Sequence, residues 1–289
     1  MKQRVITGFF FTIGVLAFIV PSLWIPLISV AFSAIVGGVA ISELYKAFAA
    51  GDMHPSLPLM ITGGIVTAGL VFVSYFLNLE ITLSLTLYLI ITGLLCFASC
   101  VIPSIIHKEG EGHLRDGVIT AAVIFYCTFP LYCLMTGMIL VKNGWYYMVC
   151  GLFASWISDV FAYFTGVTLG RHKIVPHISP KKTWEGCIGG AVGCAVCVML
   201  YFDLVVYKID NLSINMAVFS IVTFIMGFLI SVMSQIGDWL ASLIKRRVGI
   251  KDYGKIFPGH GGMLDRFDSS FFTLPIGLLI AIFALHFFS

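Results

Sequence analysis

"LPLMITGGIVTAGLVFVSYFLNLEITLSLTLYLIITGLLCFASCVI", residues 57–102, decides the fold. Its one charged side chain is Glu80, and the chain on either side of it is apolar for a helix-spanning length. About 20 apolar residues in a helix cross the ~30 Å hydrocarbon core of a bilayer. A helix also satisfies its own backbone N–H and C=O groups where no water can. Working outward from this pair, similar runs lie near 5–20, 25–42, 57–77, 81–102, 118–141, 145–168, 186–207, 214–237 and 269–288. The sequence therefore predicts an all-α, polytopic membrane protein of about nine transmembrane helices. Of the 289 residues, 59% are hydrophobic and 11% charged, against about 25% charged in a soluble domain, which excludes the soluble globular class.

The basic residues assign a side to each connection. With the N-terminus inside, Lys2, Arg4, Lys46, Lys108, Arg115, Arg171, Lys173, Lys181, Lys182, Lys245, Arg246, Arg247, Lys251, Lys255 and Arg266 fall on inner segments, and Lys142 and Lys208 alone fall outside. That asymmetry is the positive-inside pattern. It predicts a cytoplasmic N-terminus, an odd number of spans and a C-terminus outside. The first run, behind Lys2 and Arg4, lacks a small-x-small cleavage site and reads as a retained span. The eight cysteines fall mostly in apolar runs and read as small packing residues, Cys194 and Cys197 included.

Two large inner loops remain, 169–185 and 238–268, both in the region 145–289; residues 1–144 carry spans without a recognisable motif. The stretch "KRRVGIKDYGKIFPGHGGMLDRFD", residues 245–268, is the most charged part of the chain. Gly249, Gly254 and Lys255 fit a GxxxxGK phosphate loop, but Ile256 replaces the metal-binding hydroxyl that such a loop needs. If helix continues through "DWLASLIKRRV", Asp238, Ser242 and Lys245 share one face. An acid with cations a turn or two below it suits a metal-bound polyphosphate, and a helix end dressed with snorkelling bases is the plainer alternative. Pro258, Gly259, Gly261 and Gly262 forbid regular helix and let backbone amides turn toward an anion. Asp265 and Asp268 follow, and with Asp238 they make a carboxylate set suited to Mg²⁺, which takes oxygen ligands alongside substrate phosphates. His260, between glycines, is placed to contact phosphate; His177 reads as a loop residue. "SPKKTWEG" supplies Ser179, Lys181, Lys182, Thr183 and Glu185, a charge cluster that also reads as an anchor and helix cap. Asp159 lies within a span, where an acid costs roughly 2.5–3.5 kcal/mol to insert, and so reads as functional.

The run from Ser242 to Asp268 resembles the signature of the phosphatidate cytidylyltransferase (CDP-diacylglycerol synthase) family. Ser242, Ile244, Lys245, Arg246, Lys251, Asp252, Gly254, Phe257, Pro258, His260, Gly261, Gly262, Met263, Asp265, Arg266, Phe267 and Asp268 all meet it. Upstream, Asp159, Tyr163, Gly166, Ser179, Pro180, Lys182, Thr183, Glu185 and Gly186 resemble the same family's other cytoplasmic block, with Val160 a mild departure.

The resemblance implies an enzyme that condenses CTP with phosphatidate to give CDP-diacylglycerol and pyrophosphate at the cytoplasmic face of a bacterial inner membrane. It implies Mg²⁺ on Asp238 and Asp265, with Asp268 and a second cation left open. It implies phosphate contacts for Lys182, Lys245, Arg246, Lys251 and Arg266, a substrate pocket including Asp159, Ser179, Thr183, His260, Gly261 and Gly262, and a homodimer. An Asp265→Asn chain is then expected to be folded but inactive. A transporter would gather its polar residues at the midplane, whereas here they collect on one side. Nucleic-acid binding has no support, since sidedness and phosphate handling account for the bases.

Overall fold

The computed structural model describes residues 2–106, 111–174, 182–209 and 215–288. The elements are α1 (Lys2–Ser22), α2 (Ile28–Ala50), α3 (Leu57–Phe76), α4 (Ile81–Ile106), α5 (Glu111–Ile139), α6 (Trp145–Thr168) and α7 (Trp184–Tyr201). A π-helical turn (Phe202–Val206) leads into α8 (Tyr207–Ile209), followed by α9 (Met216–Arg247), α10 (Leu264–Phe267) and α11 (Ser270–Phe288). Among the described residues, seven helices are long and apolar enough to cross a membrane: α2 to α6, α7 with its extension to Ile209, and α9. The apolar runs of α1 and α11, Ile6–Ser22 and Ser270–Ala284, are shorter. The all-α, polytopic class holds, and the structure supports seven of the nine expected spans by length and composition.

Several helices overrun the apolar stretches that announce them, and three do so by seven residues or more. α2 continues to Ala50, α5 starts at Glu111, and α9 continues to Arg247. Hydropathy ends where charge begins, but Glu, Lys, Arg, Leu and Ala are good helix formers and carry the helix on. At 32 residues, α9 is about 48 Å long. Some 20 residues suffice for the hydrocarbon, so the turns from Asp238 onward lie beyond that length. Its end is a Schellman turn. Ile250 N–H donates to Lys245 O at 2.9 Å and Gly249 N–H to Arg246 O at 3.3 Å, with Gly249 at φ +73°. Lys245, Arg246 and Arg247 occupy the last turn, where positive charge complements the helix dipole.

The chain forms two units, Met1–Trp145 with Lys245–Phe267, and Tyr146–Ile244 with Asp268–Ser289. Residues 245–267 group with the N-terminal helices. In the first unit α3, α4 and α5 pack through hydroxyl contacts as well as apolar ones, with α2 beside them. Ser84 Oγ lies 3.0 Å from Ser74 Oγ and 2.9 Å from Tyr132 Oη, and Tyr88 Oη lies 2.8 Å from Thr128 Oγ1. Between membrane helices such bonds replace the hydrophobic drive that lipid removes. A cavity of about 370 Å³ between α2, α3 and α5 is lined by residues such as Gly38, Ile65 and Leu131 and by no charged side chain. In the second unit α6, α7, α9 and α11 approach closely. A Cβ on Gly227 of α9 would lie 2.8 Å from Ala195 Cα of α7. Gln235 Nε2 donates to Cys187 O at 3.0 Å, and Ser155 Oγ lies 2.7 Å from Ser270 Oγ.

Candidate active site

In the first unit, the chain leaving α9 folds back as a loop against α1 and α2. Phe257 N–H donates to Gly261 O and His260 N–H to Phe257 O, both at 2.9 Å, so "FPGHG" closes on itself. Gly259 and Gly261 take φ of +77° and +83°. Thr7 Oγ1 donates to Pro258 O at 3.2 Å, and Phe11 meets Phe257 and Phe267 edge to face. The loop thus has a seat in helices that carry no motif.

Inside this loop lies a buried ion pair. Lys245 Nζ is 2.8 Å from Asp265 Oδ1, with the lysine side chain 13% exposed and the aspartate 4%. Asp265 Oδ2 accepts the N–H of Tyr253 at 2.8 Å and of Gly262 at 2.9 Å. The ammonium also sits 5.2 Å from the centre of the Tyr253 ring. Gly261 is required by this arrangement as well as by its φ, since a Cβ there would lie 2.6 Å from Asp265 Oδ2.

Glu43 of α2 enters the same turn. Met263 N–H donates to Glu43 Oε1 at 2.9 Å and Leu264 N–H to Glu43 Oε2 at 2.8 Å. A Cβ on either Gly254 or Gly262 would collide with this carboxylate. The expectation that the loop amides turn toward an anion is met by the chain's own acids. The near-match to GxxxxGK dissolves for the same reason, because Gly249 ends α9 and Gly254 makes room for Glu43. Sequence reading missed Glu43 because the apolar run stops at 42. The rule that singled out Asp159, an acid embedded in apolar helix, would have found it.

In the second unit, Lys182 and Asp238 form an ion pair, with side chains 23% and 30% exposed. Lys182 Nζ also lies 5.3 Å from the centre of the Trp239 ring. Ser242 Oγ lies 3.5 Å from Asp238 Oδ1, so two of the three residues expected on one face of α9 meet there. The backbone beside Asp238 runs close to Asp268, since a Cβ on Gly237 would lie 3.0 Å from Asp268 O. Asp268 Oδ1 accepts Ser269 N–H at 2.7 Å. Thr183 is buried as the N-cap of α7, its side chain accepting Gly186 N–H at 3.1 Å. Glu185 gathers the preceding loop, accepting Arg171 N–H at 3.1 Å and lying 2.6 Å from His172 Nδ1.

The remaining expected site residues are spread over both units. Arg246 and Lys251 are exposed, and Arg266 is half-buried. The His260 ring faces α1, where a Cβ on Gly8 would lie 3.8 Å from Nε2. Asp159 is exposed on α6. Ser179, Lys181 and His177 lie outside the described residues. Among the described residues, no group of three His, Cys, Asp or Glu side chains is arranged to hold a metal ion. Mg²⁺ needs fewer, since it is commonly bound by one or two carboxylates plus waters and substrate phosphates. Asp238 fits that requirement as a partly exposed hard-oxygen donor. Asp265 has both oxygens engaged, Oδ2 by two backbone N–H groups and Oδ1 by the Lys245 ammonium, so it would offer a metal Oδ1 only with that ammonium moved away.

The pattern of the cytidylyltransferase family matches residues 2–284 of the chain. Phosphatidate cytidylyltransferase of Thermotoga maritima is 45% identical over 130 residues, which is 45% of this chain and 46% of that protein. Phosphatidate cytidylyltransferase of Staphylococcus haemolyticus is 40% identical over 135 residues, covering 47% and 48%. That of Aquifex aeolicus is 40% identical over 136 residues, covering 47% of each chain. The chain aligns with about half the length of these curated relatives. With a pattern matched along nearly its whole length, the chain belongs to the cytidylyltransferase family.

Proposed function

We propose that this protein transfers the cytidylyl group of CTP to phosphatidate, giving CDP-diacylglycerol and pyrophosphate. The observation that carries the reading is the pair of lysine–aspartate couples, Lys182–Asp238 and Lys245–Asp265, of which Lys182, Lys245 and Asp265 belong to the stretches that resemble the family. In the reaction a phosphate oxygen of phosphatidate bonds to the α-phosphorus of CTP, and the bond from that phosphorus to the bridging oxygen of the β-phosphate breaks. The attacking monoester is already ionised near pH 7, so no general base is needed. Both reactants are anions, and the barrier is met chiefly by positioning and positive charge.

Lys182, Lys245, Arg246, Lys251 and Arg266 supply that charge to the phosphates. Mg²⁺, when bound, adds charge at the triphosphate. Asp238 and Asp265 are its ligands in this reading, with Asp268 as a third and a second cation beside them. Asp159, Ser179, Thr183 and His260 belong to the substrate pocket. The same reading has the inner loops 169–185 and 238–268 in the cytoplasm of a bacterial cell, at its inner membrane, and the protein as a homodimer with nine spans.

The test is pyrophosphate release by purified protein in mixed micelles with CTP, Mg²⁺ and phosphatidate, each omitted in turn. Release that needs all three, matched by CDP-diacylglycerol, is expected. Release that persists without phosphatidate, or none from folded protein, would overturn the assignment.

A further inference from the structure

The first half of the chain holds no signature residue, yet one of its acids reaches the centre of the signature loop. We propose that Glu43 is a positioning residue: it fixes the Met263–Leu264 backbone so that Asp265 and Lys245 keep their pairing. The proposal rests on the reading that this pair acts on CTP. Several observations converge on it. The Glu43 side chain is buried, with the residue 4% exposed. Its two oxygens each accept one of two consecutive amides, at 2.9 and 2.8 Å. The preceding amide, of Gly262, is held by Asp265. Three successive N–H groups are therefore divided between two carboxylates, one on α2 and one on α10. Leu264 directly precedes Asp265, so a shift of the clamped peptide displaces the carboxylate that Lys245 faces at 2.8 Å.

The surroundings are shaped for a carboxylate at this point. Gly254 and Gly262 flank it, and a methyl group on either would collide with it. A glutamine keeps the volume but offers one acceptor oxygen and turns an amide donor toward the second N–H, breaking one of the two bonds. An aspartate keeps the charge but withdraws it by one methylene, about 1.5 Å. Misplacement of about 1 Å can cost 10²-fold in rate when positioning is what catalyses.

The experiment compares wild type, Glu43→Gln and Glu43→Asp by limited trypsin digestion and by steady-state kinetics. Lys251 and Lys255 are exposed in the loop and report its release without reference to activity. Both variants are expected to be cut at these lysines about tenfold faster, following the rise in the open population. Per folded molecule, kcat should fall at least about tenfold while KM for CTP stays within about twofold. A carboxylate that merely adds stability would lower the folded yield and leave kcat per folded molecule unchanged, which would overturn the proposal. So would wild-type cleavage at the two lysines.

If neither variant folds, Gly254→Ala decides. It keeps Glu43 and pushes its carboxylate aside, and wild-type cleavage and kcat in that chain would refute the clamp. Should wild type release no pyrophosphate at all, the functional reading fails while proteolysis still judges the clamp.

Discussion

The Lys245–Asp265 couple can be separated into a structural and a catalytic part by a double-mutant cycle. Both side chains are nearly excluded from solvent, at 13% and 4% exposure. Removing one partner of such a pair strands the other as a buried charge, at a cost of about 3–5 kcal/mol. In Asp265→Asn the amide also loses charge-assisted bonds from Tyr253 and Gly262, and in Lys245→Met the carboxylate keeps those two N–H donors. The aspartate change should therefore cost about 4 kcal/mol and the lysine change about 3 kcal/mol. The double variant buries an amide and a thioether with no net charge, so it should lie only about 3–4 kcal/mol below wild type, a coupling of roughly 3 kcal/mol. Reversible denaturant unfolding in micelles, followed by tryptophan fluorescence, measures all four corners. Pyrophosphate release should be lost in all three variants, because none of them carries both charges of the pair. Additive stability losses would refute the buried pair, and turnover recovered in the double variant would refute its catalytic role. The burial also revises the expectation of a folded, inactive Asp265→Asn chain, since a few kcal/mol is a large share of a typical stability.

Asp238→Asn is expected to behave differently, because its 30% exposure and the 23% exposure of Lys182 let water take over the lost contact. Its unfolding midpoint should stay close to wild type while Mg²⁺-dependent turnover falls by at least about 10²-fold; turnover within about twofold of wild type would remove Asp238 from the metal set. Thr183→Ala should cost about 1 kcal/mol through loss of the α7 cap, with Thr183→Ser restoring most of it; an unchanged unfolding midpoint would count against the cap. Single cysteines at Lys142 and Lys251, both exposed, in an otherwise cysteine-free chain should label oppositely in intact cells: position 142 with an impermeant maleimide, position 251 only after lysis. The reverse pattern would invert the proposed topology.

Membrane class and the positions of most helices were legible because burial in lipid leaves a direct mark, a long apolar run. Helix ends were not. Charge stopped the apolar run at 42 and at 237, while propensity carried α2 to Ala50 and α9 to Arg247. The continuation of α9 was anticipated from its sequence, and that of α2 was not. Glu43 therefore read as loop. The signature residues were legible as a set, but the partners within it were not. Lys182 pairs with Asp238 and Lys245 with Asp265, contacts spanning 56 and 20 positions that no local spacing encodes. The capping alternative weighed for Thr183 is what the structure displays, since a threonine three residues before Gly186 follows a local rule.

Phosphate loops commonly bind their ligand through successive backbone amides. Here the amides of Gly262, Met263 and Leu264 already hold Asp265 and Glu43. A triphosphate brought to this turn would meet two carboxylates instead of an anion nest, and its charge would be repelled. The loop's acids can nonetheless serve an anionic substrate in one way. By fixing a carboxylate beside Lys245, they keep a cationic side chain at a defined place in a region that is otherwise costly for charge. Phosphate recognition then falls to the mobile ends of lysine and arginine side chains and to any metal the aspartates hold. The N–H groups of Gly262, Met263 and Leu264 have no part in it. It follows that binding of CTP should weaken steeply with salt, as contacts between exposed charges do, and that Arg246→Gln and Lys251→Gln, at exposed positions, should each flatten that dependence. Equal salt dependence in wild type and both variants, measured as KM for CTP between low and moderate ionic strength, would return the amides to consideration.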